Sequence, residues 1–339
     1  MENTGLIVQD KINVRRKFKP KMLMAFIIYN VTLTLILTPF ILFWGPFEAL
    51  KTIAVGAVET SRHPQFVRFF LTEEQISQIM HTNDNNKASS AGTDIIRQKA
   101  TSDPSEDITI EDIQGINYYG LNYNGKVMLI RDPKRIKLAV TSQIGVVGER
   151  VTKLVGDAHA IAGINAGGFY DPSGKGNGAF PDGITVHNGQ IVHNNVGNEV
   201  QSIIGFNKEG HLILGDLNVE QVKANGIQEA VTFYPFLIKE GKPLITGDGG
   251  WSMAPRTGIG QTADGTVIFV VIDGRQPLWS NGAALSDLMN VFKDYHAVTA
   301  VNLDGGSSSV LVYGGKVQNK LWNIFGERYI PTAFVVMPK

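Results

Sequence analysis

The chain opens with one long apolar stretch and continues with many short ones. Residues 22–44 form a run of 23 residues without a charge, enough to cross a hydrocarbon core of about 30 Å at about 1.5 Å per helical residue. Residues 51–82 carry a partial apolar stripe at helical spacing and a capping box beginning at Thr72. Residues 83–109 are polar and have linker composition. The pattern predicts an anchor, a membrane-proximal helix, a linker and a folded domain from about Ile110.

From that point onward, short apolar runs rich in Val and Ile are broken by Gly, Asn, Asp and Pro, which is typical of strands joined by turns. The runs predicted to form strands are Val127–Ile130, Ile136–Val140, Ala160–Ile164, Ile203–Phe206, Leu212–Leu214, Val267–Ile272, Val298–Asn302, Val310–Tyr313 and Ala333–Met337. Two segments have helical spacing, Val147–His159 and Ala284–Tyr295. Because strands dominate, the sequence predicts an α+β fold of mixed β-sheets with a few packed helices, preceded by a single N-terminal transmembrane helix.

The net charge of zero conceals an uneven distribution. Residues 1–21 carry six basic and two acidic side chains, whereas the whole chain has 31 of each. Because positive flanks stay in the cytoplasm, we expect a single-pass cell-membrane protein with its N-terminus inside and everything after Trp44 outside. A cleaved signal peptide, with residues 55–57 as the cleavage site, is the alternative. The apolar run exceeds the roughly 7–15 residues of a signal peptide, which favours an uncleaved anchor.

The composition excludes several classes of function. The chain has no cysteine, which rules out a disulfide framework, a thiolate metal site and a cysteine nucleophile. Equal numbers of basic and acidic residues argue against a nucleic-acid partner. The sequence lacks the phosphate-loop, zinc-helix and serine-elbow motifs. No cofactor and no metal is assigned, and a divalent cation held by Asp or Asn oxygens stays open.

Glycine is concentrated in the part of the chain expected to fold, since 33 of the 37 glycines follow residue 110. Four glycine-rich segments also carry polar residues: 161–172 (IAGINAGGFYDP), 254–260 (APRTGIG), 270–276 (VVIDGRQ) and 301–309 (VNLDGGSSS). We interpret each as an apolar strand followed by a polar cluster, because strand ends converge on one pocket and glycine admits a ligand close to the backbone. Taken singly, each segment is also compatible with an ordinary turn.

Three arginines, Arg256, Arg275 and Arg328, lie in or near these segments. A guanidinium group binds phosphate through two parallel hydrogen bonds. The alternative is an arginine in a surface salt bridge, which contributes little to the stability of the protein. The residues alone leave a phosphate site and surface pairing both open.

The ordered segments INAGGFYDP, PDGI, APRTGIG, VIDGRQ and NLDGGSSS, followed by Glu327-Arg328, resemble the phosphodiester glycosidase family. This family includes N-acetylglucosamine-1-phosphodiester α-N-acetylglucosaminidase-like enzymes, and its bacterial members are labelled exopolysaccharide biosynthesis proteins. The resemblance implies an extracellular hydrolase that cleaves a sugar-1-phosphodiester bond in a surface polysaccharide or glycolipid. A non-catalytic glycan-binding or exopolysaccharide assembly factor on the same fold is the alternative.

The resemblance covers roughly residues 110–339. The expected organisation is a cytoplasmic basic tail (1–21), a transmembrane anchor (22–44), a membrane-proximal helix and polar linker (45–109) and a phosphodiester glycosidase-like domain (110–339). The expected partners are a phosphate-containing glycan or glycolipid substrate and, through the N-terminal helix, a membrane.

Cleavage of an anomeric C–O bond calls for one or two carboxylates and for neutralisation of the leaving phosphate. Asp304 is the leading candidate carboxylate and Asp273 the second, with their individual roles left open. The candidate substrate-binding residues are Asn165, Gly167, Gly168, Phe169, Arg256, Thr257, Arg275, Gly305, Gly306, Ser307, Ser308 and Arg328. Within this set the arginines are assigned to the phosphate and the Gly-Gly-Ser-Ser run to a backbone anion nest. Phe169 either stacks on the sugar or belongs to the core.

Overall fold

A computed structural model describes residues 20–46, 51, 55, 64–72, 74–76, 96–98, 107–170, 176–323 and 325–339. The chain divides into two units, residues 1–51 and residues 52–339, and each is described by itself. The predicted cytoplasmic tail up to residue 19 and most of the predicted linker lie outside the described residues.

The first unit contains helix α1, which spans Pro20–Trp44 and confirms the helix expected there. It is long and apolar enough to cross a membrane, a property that a signal sequence shares. Two of its polar side chains bond within the helix: the Asn30 amide donates to the Phe26 carbonyl at 2.8 Å, and the Thr38 hydroxyl donates to the Thr34 carbonyl at 2.7 Å. Because these groups are paired inside the helix, they fit a lipid environment.

The second unit begins with short helical segments. Residues Pro64–Phe69 form a 3₁₀-helix. The Thr72 amide donates to the Gln75 side chain at 2.9 Å, and the Gln75 amide donates to the Thr72 hydroxyl at 3.2 Å. The predicted capping box is therefore confirmed.

Twenty strands, numbered β1 to β20 in chain order, are assigned among the described residues. The first ten are β1 (Ile96–Gln98), β2 (Ile108–Ile116), β3 (Asn122–Ile130), β4 (Ile136–Val140), β5 (Ala162–Asn165), β6 (Phe169–Tyr170), β7 (Phe180–Pro181), β8 (Ile184–His187), β9 (Gln190–Asn194) and β10 (Gln201–Asn207). The others are β11 (Leu212–Leu217), β12 (Ile227–Thr232), β13 (Phe236–Lys239), β14 (Lys242–Pro243), β15 (Arg256–Thr262), β16 (Val267–Ile272), β17 (Ala297–Leu303), β18 (Leu311–Tyr313), β19 (Lys316–Val317) and β20 (Thr332–Val336). The remaining elements are the helices α2 (Val151–Asp157), α3 (Val219–Ala224) and α4 (Leu285–Asp294), with 3₁₀-turns at Pro133–Arg135 and Gly306–Ser308.

The described strands build three larger sheets and one two-stranded ribbon. An eight-stranded sheet has the order β1-β2-β3-β16-β15-β17-β13-β14, and two five-stranded sheets have the orders β11-β10-β12-β8-β9 and β19-β18-β5-β20-β4. The pairings between the described strands are antiparallel. The α+β class is therefore confirmed, as are the nine predicted strands and both predicted helices of the domain.

One segment differs from its interpretation as a polar cluster at a strand end. Residues 254–260 lead into β15, which pairs with β16 on one side and β17 on the other and is buried along its first six residues. Three of its polar residues, Arg256, Thr257 and Gln261, are buried as well. The glycines of this segment lie within a central strand instead of a ligand loop.

The three sheets share one core. Strand β16 is buried along its whole length because both of its faces are covered. Val267, Phe269 and Val271 face the core common to the three sheets, where the rings of Phe206 and Phe334 meet edge to face at 5.9 Å. The alternate residues of β16 pack against α4. Helices α2 and α3 cover the outer faces of the two smaller sheets.

A pair of glycines in β15 lets α4 approach the large sheet. A Cβ atom on Gly258 would lie 2.8 Å from the ring of Phe292, and one on Gly260 would lie 2.7 Å from it. Contacts this short are closer than van der Waals packing permits, so neither position accepts a larger residue without displacing the helix.

We expect Gly260→Ala to lower the free energy of unfolding by about 1–3 kcal/mol, because the added methyl group overpacks the core. Phe292→Leu in the same chain should restore part of the loss. The matched control is Gly156→Ala in α2, where a Cβ would meet no atom within 4 Å; it should be neutral or stabilising by up to about 1 kcal/mol. Urea unfolding of the detergent-solubilised chain measures all three, and equal stability of the two alanine variants would contradict the packing argument.

Candidate active site

The candidate site lies where strand ends of the large sheet and of one smaller sheet meet, and Asn165 joins them. Its amide oxygen accepts hydrogen bonds from the Thr257 hydroxyl at 2.9 Å and the Val310 amide at 3.1 Å. Its amide nitrogen donates to the carbonyl of Asp304, whose own amide donates to the Ala166 carbonyl at 3.1 Å. Asn165 is 1% exposed, so it positions the main chain of Asp304 from inside the protein.

Asp304 directly follows β17 and begins the loop that ends at Ser309. The loop is folded onto the start of β15 because the Gly306 amide donates to the Pro255 carbonyl at 2.9 Å. The Ser308 amide donates to the Gly305 carbonyl at 3.1 Å, within the 3₁₀-turn. Two amide groups of the predicted anion nest therefore make hydrogen bonds within the protein. Ser307 is the loop residue that lines the neighbouring cleft.

Arg275 lies against this loop. Its Nη1 atom is 3.6 Å from the position that a Cβ on Gly306 would occupy, and its guanidinium group lies 5.1 Å from the ring centroid of Trp322. Burial lowers the pKa of Arg275, and the planar group remains a phosphate-binding fork stacked on an indole ring. The absence of a side chain at Gly306 leaves room for this approach.

Arg328 contacts the same loop at Ser308. Its Nη1 atom donates to the Ser308 hydroxyl at 3.4 Å, and its Cζ atom lies 4.4 Å from the ring centroid of Phe169. Phe169 therefore carries a cation on its face instead of being fully enclosed in the core. Together the two arginines place positive charge beside the segment that begins with Asp304.

A cleft of about 510 Å³ opens beside Arg328. It is lined by Arg150, Gly176, Ser307, Trp322, Asn323, Phe325, Glu327, Arg328 and Tyr329. The Glu327 carboxylate accepts hydrogen bonds from the Thr152 amide at 3.0 Å and the Thr152 hydroxyl at 2.6 Å, which ties it to the first turn of α2. The arginines of the cleft suit an anionic ligand. The exposed aromatic side chains at its rim suit a ligand that contains a ring.

Arg256 occupies a different environment from the other two arginines. It is 3% exposed, and its guanidinium group donates to the main-chain carbonyls of Ala283 at 2.9 Å, Trp251 at 2.9 Å and Ser252 at 2.6 Å. Burial, and secondarily the nearby charge of Arg275, lowers the pKa of Arg256 to about 10. The structure thus turns this arginine toward the protein interior behind the loop.

The Asp273 carboxylate is likewise bonded within the protein. It accepts hydrogen bonds from the Trp279 indole at 2.8 Å, the Asn319 amide group at 3.1 Å and the Lys320 main-chain amide at 3.1 Å. Burial raises its pKa, and these hydrogen bonds oppose the rise. It lines a separate pocket of about 420 Å³. The structure does not bring Asp273 to the cleft that holds Ser307. Instead, the Asp273 carboxylate ties together the chain segments on either side of Arg275.

Glycines 167 and 168 are packed against neighbouring chain. A Cβ on Gly167 would lie 2.8 Å from the Cβ of Val231, and a Cβ on Gly168 would lie 3.1 Å from the Phe233 ring and 3.2 Å from an Asp182 carboxylate oxygen. The Asp182 amide also donates to the Gly168 carbonyl at 3.0 Å. Asp182 is therefore a further carboxylate beside the site. The sequence holds a signal for it in the PDGI segment, where an aspartate before glycine has the form of an ordinary turn.

Another buried carboxylate lies beneath Arg256. Asp287 accepts hydrogen bonds from the main-chain amides of Tyr118 at 3.1 Å and Ala284 at 2.8 Å. Burial raises the pKa of Asp287 to about 6 from 3.8, although both hydrogen bonds and Arg256 lower it. The folded protein therefore binds a proton at Asp287 more tightly than the unfolded chain does.

This difference predicts the pH dependence of stability. The contribution of Asp287 is fully present below about pH 4 and is lost as the pH rises through about 6. Asp287→Asn lacks this contribution, so its free energy of unfolding relative to wild type should rise by about 1–1.5 kcal/mol between pH 5 and pH 8. Urea unfolding at both pH values measures it. Asp157→Asn, at an exposed position, is the control, and an equal response of the two variants would contradict the assignment.

Among the described residues, no group of three or more His, Asp or Glu side chains is arranged to hold a metal ion. The described geometry thus offers two arginines and one loop serine beside Asp304, with Asp182 near the glycine pair. The fold and this constellation define an α+β protein in which two arginines lie against the loop that follows Asp304.

The chain belongs to the phosphodiester glycosidase family, whose sequence model matches residues 158–337. The matched range contains every candidate site residue predicted from the sequence, from Asn165 to Arg328. It also contains strands from all three larger sheets, whereas β2, β3 and β4 precede it.

Solved structures share this fold. The catalytic domain of zebrafish N-acetylglucosamine-1-phosphodiester α-N-acetylglucosaminidase, auto-inhibited by its pro-peptide, is 19% identical with a TM-score of 0.59, covering 72% of this chain and 88% of that one. A protein from Burkholderia pseudomallei K96243 described as exported is 18% identical with a TM-score of 0.50, covering 65% and 74%. A protein of undescribed role from Synechocystis is 15% identical with a TM-score of 0.54, covering 72% and 68%.

A curated relative matches a shorter segment. The SPbeta prophage-derived protein YomE of Bacillus subtilis (strain 168) is 28% identical over 127 residues. These residues make up 36% of this chain and 20% of YomE, so the chain spans about a fifth of the length of that relative.

Proposed function

We propose that this protein is a membrane-anchored extracellular hydrolase that cleaves a sugar-1-phosphodiester bond in a surface polysaccharide or glycolipid. The observation that carries the proposal is the placement of Arg275 beside Gly306 and of Arg328 beside Ser308, both within the loop that begins with Asp304. Family membership supports the reaction class, and the zebrafish relative is named for a sugar-1-phosphodiester substrate.

The proposed chemistry divides charge between the two sides of the scissile bond. As the bond between the anomeric carbon and the phosphate oxygen breaks, its electron pair leaves with the phosphate and the sugar ring becomes positive. The arginines stabilise the leaving phosphomonoester, because fixed cations act on charge that grows in the transition state. The Asp304 carboxylate stabilises the anomeric carbon. Water supplies the new oxygen on that carbon, and its proton passes to solvent.

The remaining candidates hold this geometry in place. Asn165 and Thr257 fix the main chain of Asp304, and Asp273 fixes the segments that flank Arg275. Arg256 holds the turn before β15 by its bonds to main-chain carbonyls. We propose that these are positioning residues, and that Ser307 and Ser308 complete the phosphate side with the loop.

The proposed location follows from α1 and its basic flank. The exported description of the Burkholderia relative supports an extracellular domain, and the apolar helix Pro20–Trp44 supplies the anchor. In this arrangement the enzyme stays at the cell surface, where phosphate-containing glycans and glycolipids are its substrates.

The experiment is product analysis with the full chain in detergent. An alkyl diester of N-acetylglucosamine-1-phosphate, and the corresponding glucose and galactose diesters, are incubated in ¹⁸O-labelled water. The proposal expects free sugar labelled at its anomeric oxygen together with unlabelled alkyl phosphate. Sugar-1-phosphate with free alcohol would identify a phosphodiesterase instead. Binding of the diesters without release of either product would identify a non-catalytic glycan-binding protein.

A further inference from the structure

A further pocket, of about 640 Å³, lies next to the candidate site on the side of β8, β10 and β12. The residues that define its chemistry are Asp182, Asn195, Ser202, Asp216 and Tyr234. It is connected to the site through the stretch 166–168: the Asp182 amide bonds to the Gly168 carbonyl, and the Asp304 amide bonds to the Ala166 carbonyl. The main chains of Asp182 and Asp304 are therefore bonded to the same three-residue stretch.

An aromatic ring forms one wall of this pocket. The Tyr234 side chain is 57% exposed, yet its ring is held by two neighbours. It stacks on Phe233 with centroids 5.7 Å apart and meets Trp251 edge to face at 5.3 Å. Phe233 in turn touches Trp251 at 6.0 Å. An exposed ring that is braced in this way is a rigid, flat, amphipathic surface, and it loses little conformational entropy when a ligand covers it.

The charge of the pocket distinguishes it from the arginine cleft. The residues described as lining it include two carboxylates, Asp182 and Asp216, and neither lysine nor arginine. A phosphate or a uronic acid placed there would meet like charge in a partly desolvated site. Carboxylate and amide oxygens instead accept hydrogen bonds from hydroxyl groups. The pocket thus suits an uncharged, hydroxyl-rich ligand with an apolar face.

We propose that this pocket is a sugar subsite that binds an uncharged pyranose ring, stacked on Tyr234 and hydrogen-bonded by Asp182. The inference rests on the proposed function, which it deepens by naming the sugar side of the substrate. Phosphate occupies the arginine cleft, the neutral ring occupies the carboxylate-lined pocket, and Asp304 serves the bond between them. The enzyme therefore selects neutral hexoses or N-acetylhexosamines over uronic acids.

The test measures binding separately from catalysis, with the full chain in lipid nanodiscs because glycoside detergents would compete. The probes are methyl N-acetylglucosaminide, which is neutral, and methyl glucuronide, which is anionic, followed by saturation-transfer NMR titration. Wild type should bind the neutral probe more tightly. Tyr234→Ala should weaken neutral binding by about five- to tenfold. The matched control is Tyr313→Ala, at a 40% exposed tyrosine in the β18–β19 hairpin outside this pocket, and it should leave binding unchanged.

The variant Asp182→Asn tests the preference between the two probes, which would not change if Asp182 had only a structural role. Removing its charge should raise the affinity for the glucuronide relative to the neutral probe, with thermal unfolding confirming that the variant is folded. Equal binding by wild type and Tyr234→Ala, in a chain that hydrolyses diesters, overturns the subsite and leaves the proposed function standing. Loss of binding on Tyr234→Ala, in a chain that hydrolyses none of them, supports the subsite and overturns the hydrolase.

Discussion

Asp304→Asn should reduce kcat for sugar release by about a thousandfold or more, because the amide cannot stabilise the developing positive charge at the anomeric carbon. Asparagine has nearly the same shape. The main-chain bonds from Asp304 to Ala166 and Asn165 involve no side-chain atom of Asp304, so the loop should stay in place. Substrate affinity should consequently change little. Steady-state release of N-acetylglucosamine gives kcat, and equilibrium binding of the unreacted diester gives Kd.

Two companion variants make the result specific. Asp157→Asn removes an exposed carboxylate at the end of α2 and should retain full activity. Asp273→Asn loosens the segments around Arg275 and should raise KM while kcat falls less than in Asp304→Asn. An active Asp304→Asn enzyme together with an inactive Asp273→Asn enzyme would reverse the two assignments.

Arg328→Met is expected to lower kcat/KM by about 10²–10³-fold, since a fixed cation beside the leaving phosphate acts mainly in the transition state. Arg328→Lys keeps the charge but loses the planar fork and its contact with Phe169, so its activity should be intermediate. Inhibition by the phosphomonoester product should weaken in parallel, because that product carries the phosphate group that we propose Arg328 binds.

The matched control for this variant is Arg131→Met, at an exposed position after β3. Rising salt should weaken inhibition by the product in wild type more than in Arg328→Met, because charge pairing is screened. Unchanged product inhibition in Arg328→Met, with the activity loss explained by lower thermal stability alone, would remove Arg328 from the phosphate side.

Elements with a self-sufficient local signal are the ones that the sequence predicts. β16 has its predicted bounds because six consecutive apolar residues fill a strand with two covered faces. α4 follows from its helical spacing of apolar residues, and α1 from its uncharged length. β15 was not predicted from the sequence, because its glycines are required by close packing against Phe292, which lies on a helix later in the chain. Such packing is a tertiary contact that the local sequence does not reveal. The glycine-rich sequence of the strand therefore looks like that of a loop.

The sequence predicts which segments come together better than it predicts which of their polar side chains are used inside the protein. Glycine-rich strand ends do converge around Asp304, Arg275 and Arg328. Arg256 has the same chemistry in sequence, yet three main-chain carbonyls hold its guanidinium group. Asp182 lies in the PDGI segment but was not among the predicted site residues, and Tyr234 lies outside the segments that the sequence analysis selected. Which polar group faces a ligand depends on partners supplied by other strands, and single-sequence patterns carry no record of those partners.

The hydrogen bonds of Asn165 also determine when the site comes into existence. They join it to residues 92, 139 and 145 positions later in the chain. Contacts over such separations require closure of long loops and form late in folding. A chain emerging from its N-terminus therefore presents Asn165 long before Asp304 and Val310 arrive to meet it. The candidate site is therefore completed only when nearly the whole polypeptide is available to fold.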